Sequence, residues 1–248
     1  MKQFVVLGLG RSGSNLLVNR LNTPGSVCFG EIYHPVDIFL KFPVPGYDTT
    51  KQRDRDPVGF YRGLHEQVVE RYPKKRAWGY KLFLHHSRGA LEHMCADPDI
   101  SVVVLQRKNM LARYSSTKKA IETGAYRKLS DEGVSQEDRL VEFVPSEFRK
   151  LVRREQKLFE ALYKKLEKHG KAFHEIEYCE LGSPEAMAGV FAHLGIEGRA
   201  SEDIRVQKQG SAYDMLERFS NPEDVVRYVE TNGMEAWLHE QSPRLQPA

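Results

Sequence analysis

Residues 8–17 read GLGRSGSNLL, and Gly8 and Gly13 hold the spacing of the two glycines in the phosphate-binding signature G-x-x-x-x-G-K-[ST]. In that signature backbone N–H groups and a helix N-terminus cradle a phosphate. Here it is incomplete: Ser14 stands where the lysine belongs, and Asn15 where the Mg²⁺-binding hydroxyl belongs. A hydrolase lacking both groups has no charge clamp on the β and γ phosphates and a poorer metal site, which disfavours ATP or GTP hydrolysis. What survives is an anion cradle, Gly10, Arg11, Ser12, Gly13, Ser14 and Asn15, with its own cation in Arg11. Tight glycine bends also join strands to helices without any ligand, so the loop alone leaves both readings open.

A second stretch, VVVLQRKNMLARYSSTKKA (102–120), ends an apolar run on Arg107 and brings Ser115 and Ser116 eight and nine positions later. A guanidinium supplies a bidentate fork and a serine a neutral donor, a pair suited to one phosphate. An arginine at a strand end can equally be a solvated terminus.

The elements around these residues alternate. Residues 3–8 and 100–107 are continuous apolar runs, the pattern of parallel strands covered on both faces, and 76–86, 171–181 and the SVCFGE stretch read as further strands. Helical spacing runs over 14–21, 109–123, 146–169 and 184–195. Asp56 and Pro57 open another helix, with Val58, Tyr61, Leu64, Val68 and Tyr72 as its stripe. Residues 36–56, rich in proline, glycine and charge, read as a long surface loop. The whole predicts an α/β fold: a P-loop NTPase-like three-layer sandwich with a central parallel sheet and helices on both faces, ligands lying beyond the carboxyl ends of the strands.

The 248 residues, 40% hydrophobic and 29% charged, suit a globular chain, read as one domain over 1–248. No apolar run approaches the roughly 18 residues of a membrane span, and Arg11 interrupts the opening one before any cleavage-like segment, so a cytoplasmic protein is expected. A net charge of +3, from 37 basic and 34 acidic residues, is too weak to argue for nucleic acid. The clusters RYPKKR (71–76) and KKLEKHGK (164–171) read as solvated faces. Cys28, Cys95 and Cys179 are too few and scattered for a disulfide framework or a zinc site and read as reduced thiols, and no metal is expected.

Taken in order, these stretches resemble the sulfotransferases that use 3′-phosphoadenosine 5′-phosphosulfate (PAPS), most of all the bacterial carbohydrate branch of nodulation-factor and trehalose sulfotransferases. GRSGSNLL is similar to their 5′-phosphosulfate loop, and Arg107 with Ser115 or Ser116 to their 3′-phosphate element. FGEIYHP supplies the Gly-Glu dipeptide of that branch, WGYKLF its Gly-x-Lys-[LF] strand, and RKNML its Arg-x-Asn-x-Leu element. IEYCELGSPEAMAGVFAHLGI and KQGSAYDMLERFSNPEDV resemble the segments that follow, so the likeness runs from about residue 3 to about 226. Asn15 departs from the usual Thr or Ser, and QKQG matches the cofactor lid only loosely, which bears on Lys208.

The resemblance implies a transferase that moves the sulfuryl group of PAPS to a hydroxyl of a carbohydrate, glycolipid or other small acceptor, with Arg11 and the N–H groups of Ser12 to Asn15 neutralising the departing 5′-phosphate. Glu31 is then the base, His34 its rival, with His85 and His86 behind. Lys81 either stabilises the bridging oxygen or lays its stem along the sheet with its amine in water. Phe39, Phe42, Tyr47 and Tyr126 either line an acceptor pocket or cover the core. A P-loop small-molecule kinase and a non-catalytic nucleotide-binding module are the alternatives. Oligomeric state is not legible.

Overall fold

The computed structural model describes residues 1–124, 140–196 and 215–239. They fall into two compact units. The first comprises Met1–Gln106 with residues 158–196, the second the described parts of Arg107–Lys157 with residues 215–239.

The first unit is built on five strands, β1 (Lys2–Gly8), β2 (Ser26–Phe29), β3 (Ala77–Phe83), β4 (Ile100–Gln106) and β5 (Phe173–Glu177), all parallel in the order β2-β3-β1-β4-β5. Its helices are α1 (Ser14–Arg20), α2 (Thr50–Arg55), α3 (Pro57–Arg71), α4 (Arg88–Ala96), the end of α6 (Pro145–Lys168) from Leu158 onward, and α7 (Pro184–Leu194). Alternate residues of the central strands serve opposite faces. Phe4, Val6, Val103 and Leu105 pack with Leu17, Val18 and Leu21 of α1 and Met187, Val190 and Phe191 of α7. Val5, Leu7, Val102 and Val104 pack with Phe60, Leu64 and Val68 of α3, Leu91 and Met94 of α4, and Leu162 and Leu166 of α6. This is the expected three-layer α/β arrangement. Because β1 is followed in space by β3 on one side and β4 on the other, its carboxyl end sits where the strand order reverses, the usual place for a ligand crevice.

The structure corrects three expectations. Residues 36–56 are not wholly loop: Thr49 and Gln52 form a reciprocal capping box that starts α2, and within it Arg53 is fully buried. Helix α4, capped by Ser87, stands between β3 and β4 where no helix was expected. In α3 the buried stripe is Phe60, Tyr61, Leu64 and Val68, while Val58 and Tyr72 are only half-buried. The Asp56 cap and Pro57 start are as expected.

The second unit has α5 (Met110–Thr123), the start of α6 through Lys157, and α8 (Pro222–Asn232), which sequence reading also left unassigned. Leu111, Tyr114, Phe143, Phe148, Phe219, Val225 and Val229 form its core. Buried Arg113 and Glu155 pair within it at 2.7 Å. No described helix is long and apolar enough to cross a membrane.

Candidate active site

The bend between β1 and α1 is held by backbone conformations that few residues tolerate. Gly13 has φ 84°, and Arg11, at φ 63°, is the one non-glycine residue in the left-handed region among the described residues. Such a conformation costs about 1–2 kcal/mol for a residue with a Cβ, so the loop holds Arg11 against its local preference. Ser12, fully buried, locks the bend by donating its hydroxyl to the Leu9 carbonyl at 2.7 Å. Successive N–H groups in a turn of this kind form an anion-binding concavity.

A lysine does reach the loop, from another strand. Lys81 lies in β3 opposite Val6 of β1, one residue beyond the Phe29–Tyr80 pairing that ends β2. Its amine does not reach water: the residue is only 2% exposed. Nζ instead donates to Asn15 Oδ1 at 2.5 Å, approaches Ser14 Oγ at 3.5 Å and pairs with Glu31 Oε1 at 2.9 Å. The serine and asparagine that break the lysine-bearing signature therefore hold a lysine supplied by the neighbouring strand.

Glu31 follows β2 by two residues and arrives beside Lys81 because β2 and β3 are paired in register. Burial pushes its carboxyl up, but the charge and hydrogen bond of Lys81, with smaller help from His86 and His34, outweigh that and bring it below the usual range. It is an ionised carboxylate at neutral pH. A row of rings continues from it: His34 lies 5.4 Å from His86 and 4.9 Å from Phe39, and His86 4.8 Å from His85. Burial, and then the neighbouring His85, depress His86 to about 4, so this imidazole is neutral. The amide of Val36 donates to His34 Nδ1 at 3.3 Å. Phe42 and Tyr47 are partly buried against the core, whereas Phe39 is exposed.

No family model matches this chain. No curated protein matches it either. Among solved structures, the crystal structure of a sulfotransferase from Alicyclobacillus acidocaldarius is similar over 96% of each chain, with 15% identity and a TM-score of 0.49. At that distance the likeness assigns no residue a role.

The first unit thus brings together Gly10 to Asn15, Glu31, His34 and Lys81. Arg107, Ser115 and Ser116 belong to the second unit. There Arg107 is buried, Ser115 is buried and donates to the Ala112 carbonyl at 3.0 Å, and Ser116 is half-buried. Asn109 of the RKNML stretch serves the fold. Its Oδ1 caps α5 at Ala112 N, 2.9 Å away, and its Nδ2 donates to Trp237 O at 2.9 Å. Lys208 and Tyr126 lie outside the described residues. Among the described residues no group of three or more His, Cys, Asp or Glu is placed to hold a metal ion. Sequence reasoning missed Arg53, whose only signal was an arginine within a capping-box helix.

Proposed function

We propose that the chain is a PAPS-dependent sulfotransferase acting on a hydroxyl of a carbohydrate, glycolipid or other small acceptor. The observation that carries the reading is the contact of Lys81 Nζ with both the glycine loop and Glu31: a cation and a carboxylate share the end of the sheet where a phosphosulfate would lie. In this reading the loop amides of Ser12 to Asn15 and the Arg11 guanidinium bind the 5′-phosphate. Lys81 stabilises charge on the bridging oxygen as the sulfur–oxygen bond to that phosphate breaks and the electron pair stays with the phosphate. The acceptor oxygen forms the new bond to sulfur from the opposite side, and its proton goes to Glu31.

Glu31 is favoured over His34 on hydrogen bonding. His34 Nδ1 already accepts the Val36 amide, which engages the lone pair of that nitrogen. The 3′-phosphate role of Arg107 rests on the sequence resemblance. The choice between Ser115 and Ser116 as its partner stays open, as it does in the resemblance. A role for Lys208 stays with the resemblance alone.

The test is turnover of radiolabelled PAPS with a panel of hydroxylated acceptors, beside thermal shift with 3′-phosphoadenosine 5′-phosphate and with ATP–Mg²⁺. Stabilisation by the first nucleotide and sulfated product are expected, and Glu31→Ala should lower turnover by about 10²-fold or more. Stabilisation by ATP–Mg²⁺ alone would favour a kinase, and nucleotide binding without product a non-catalytic module. A Glu31→Ala variant at the parental rate removes Glu31 from the mechanism.

A further inference from the structure

Between β2 and α2 the chain runs through Gly30–Asp37 without regular secondary structure, yet this stretch carries Glu31 and His34. Its backbone needs partners from elsewhere. Two local bonds, Ile32 N to Gly30 O and His34 N to Glu31 O, both 3.1 Å, bend it. It is fastened to the rest of the unit by Ile32 and Tyr33 buried in the core, by the Tyr33 hydroxyl donating to the Pro57 carbonyl at 2.7 Å, and by Arg53, fully buried in α2. Its Nη1 donates to the carbonyls of Ile32 (2.9 Å), His34 (2.9 Å) and Asp37 (3.3 Å). Its Nε and Nη2 both meet Asp54 Oδ1 at 2.7 Å, and its guanidinium lies 5.7 Å from the centre of the Tyr33 ring.

A buried guanidinium is expensive unless carbonyls and a counter-charge replace its water. A hydrophobic residue would fill the same volume at lower cost, so packing alone does not account for an arginine here. What the arginine does that a leucine could not is bind carbonyls on both sides of one turn.

We propose that Arg53 is a positioning residue, whose hold on the Ile32, His34 and Asp37 carbonyls keeps the Gly30–Asp37 turn folded so that the Glu31 carboxylate stays against Lys81. Its consequence for catalysis rests on the reading of Glu31 as the base; its consequence for the geometry of Glu31 does not.

Arg53→Lys retains a buried cation but loses the planar fork. The readout is the ¹³C-detected titration of the Glu31 side-chain carboxyl, assigned with Glu31→Gln. The charged or titratable groups that influence this carboxyl are Lys81 from β3, His86 just past β3, and His34 from its own turn, with Lys81 the main one that lowers it. Once the turn loosens, the hold of Lys81 on the carboxylate weakens, and the Glu31 midpoint should rise toward the ordinary carboxyl range. Glu92, held at about 2 by Lys165 and His169, should not move and reports that the rest of the unit is intact.

Where the lysine variant does not fold, Asp54→Asn, which only releases the carboxylate that orients the guanidinium, gives the same readout. An unmoved Glu31 midpoint in whichever variant folds overturns the proposal. With turnover in hand, Arg53→Lys should lower kcat roughly 10- to 100-fold with KM for PAPS unchanged. If the parent transfers no sulfuryl group while the Glu31 midpoint still shifts in the variant, the functional reading fails and the positioning role stands.

Discussion

Replacing Lys81 by Met keeps most of the volume of a nearly fully buried side chain and deletes a strong partner of a half-buried carboxylate. Breaking a fully buried pair from one side costs about 3–5 kcal/mol. The Glu31 side chain retains 12% exposure, so water softens the loss to roughly 2–3 kcal/mol. For a chain of 248 residues that is a fall in melting temperature of about 5–10 °C at pH 8.

The pH dependence separates charge from packing. In the parent the carboxyl is held below its unfolded value, so it contributes stability above that value, lost as pH falls through the lower folded one. In the variant burial dominates and the folded carboxyl rises above the unfolded value, so it costs stability at neutral pH and nothing once protonated. The gap between the two proteins should therefore be full at pH 8 and narrow toward about pH 4. Melts followed by circular dichroism at pH 8, 6.5, 5 and 4 measure it. A deficit of constant size at every pH would mean that only packing was lost, and no deficit would mean that the Lys81–Glu31 pair does not form.

Gly79→Ala tests the centre of the sheet. An added Cβ would lie 2.2 Å from Phe4 Cδ2 and 2.4 Å from the Phe4 carbonyl oxygen, so a loss of about 3 kcal/mol is expected in urea unfolding, and a change within about 0.5 kcal/mol would refute the close packing. In the second unit, Glu155→Ala removes the carboxylate paired with buried Arg113 and should cost about 3 kcal/mol, whereas the double variant Arg113→Met, Glu155→Leu should recover most of it. Equal losses in the single and double variants would show that the charge is not what matters there.

Much of the site was legible in the chain alone, residue by residue. The bend at Gly8–Asn15 and the cation inside it followed from glycine spacing, whereas Glu31 was singled out only by the resemblance of FGEIYHP to the sulfotransferase Gly-Glu dipeptide. The role of Lys81 did not. Its sequence context allowed either an amine at the strand end or a stem lying along the sheet with the amine in water, and only the parallel pairing with β1 puts Nζ against Asn15. Arg53 was hidden further, in a stretch whose prolines, glycines and charges looked like surface. The carbonyls that make burial of that guanidinium tolerable are 16 to 21 positions away in the chain.

The sequence by itself determined the alternation of strand and helix, the buried character of β1 and β4, and the capped start at Asp56, because each is set by periodicity or by bonds within three or four residues. The strand order β2-β3-β1-β4-β5, the placement of Lys81 against the glycine loop and Glu31, and the contacts of Arg53 with the Glu31 turn were decided only by tertiary structure. Each depends on which distant segments become neighbours, and that follows from burying apolar faces across the whole sheet, not from any local pattern.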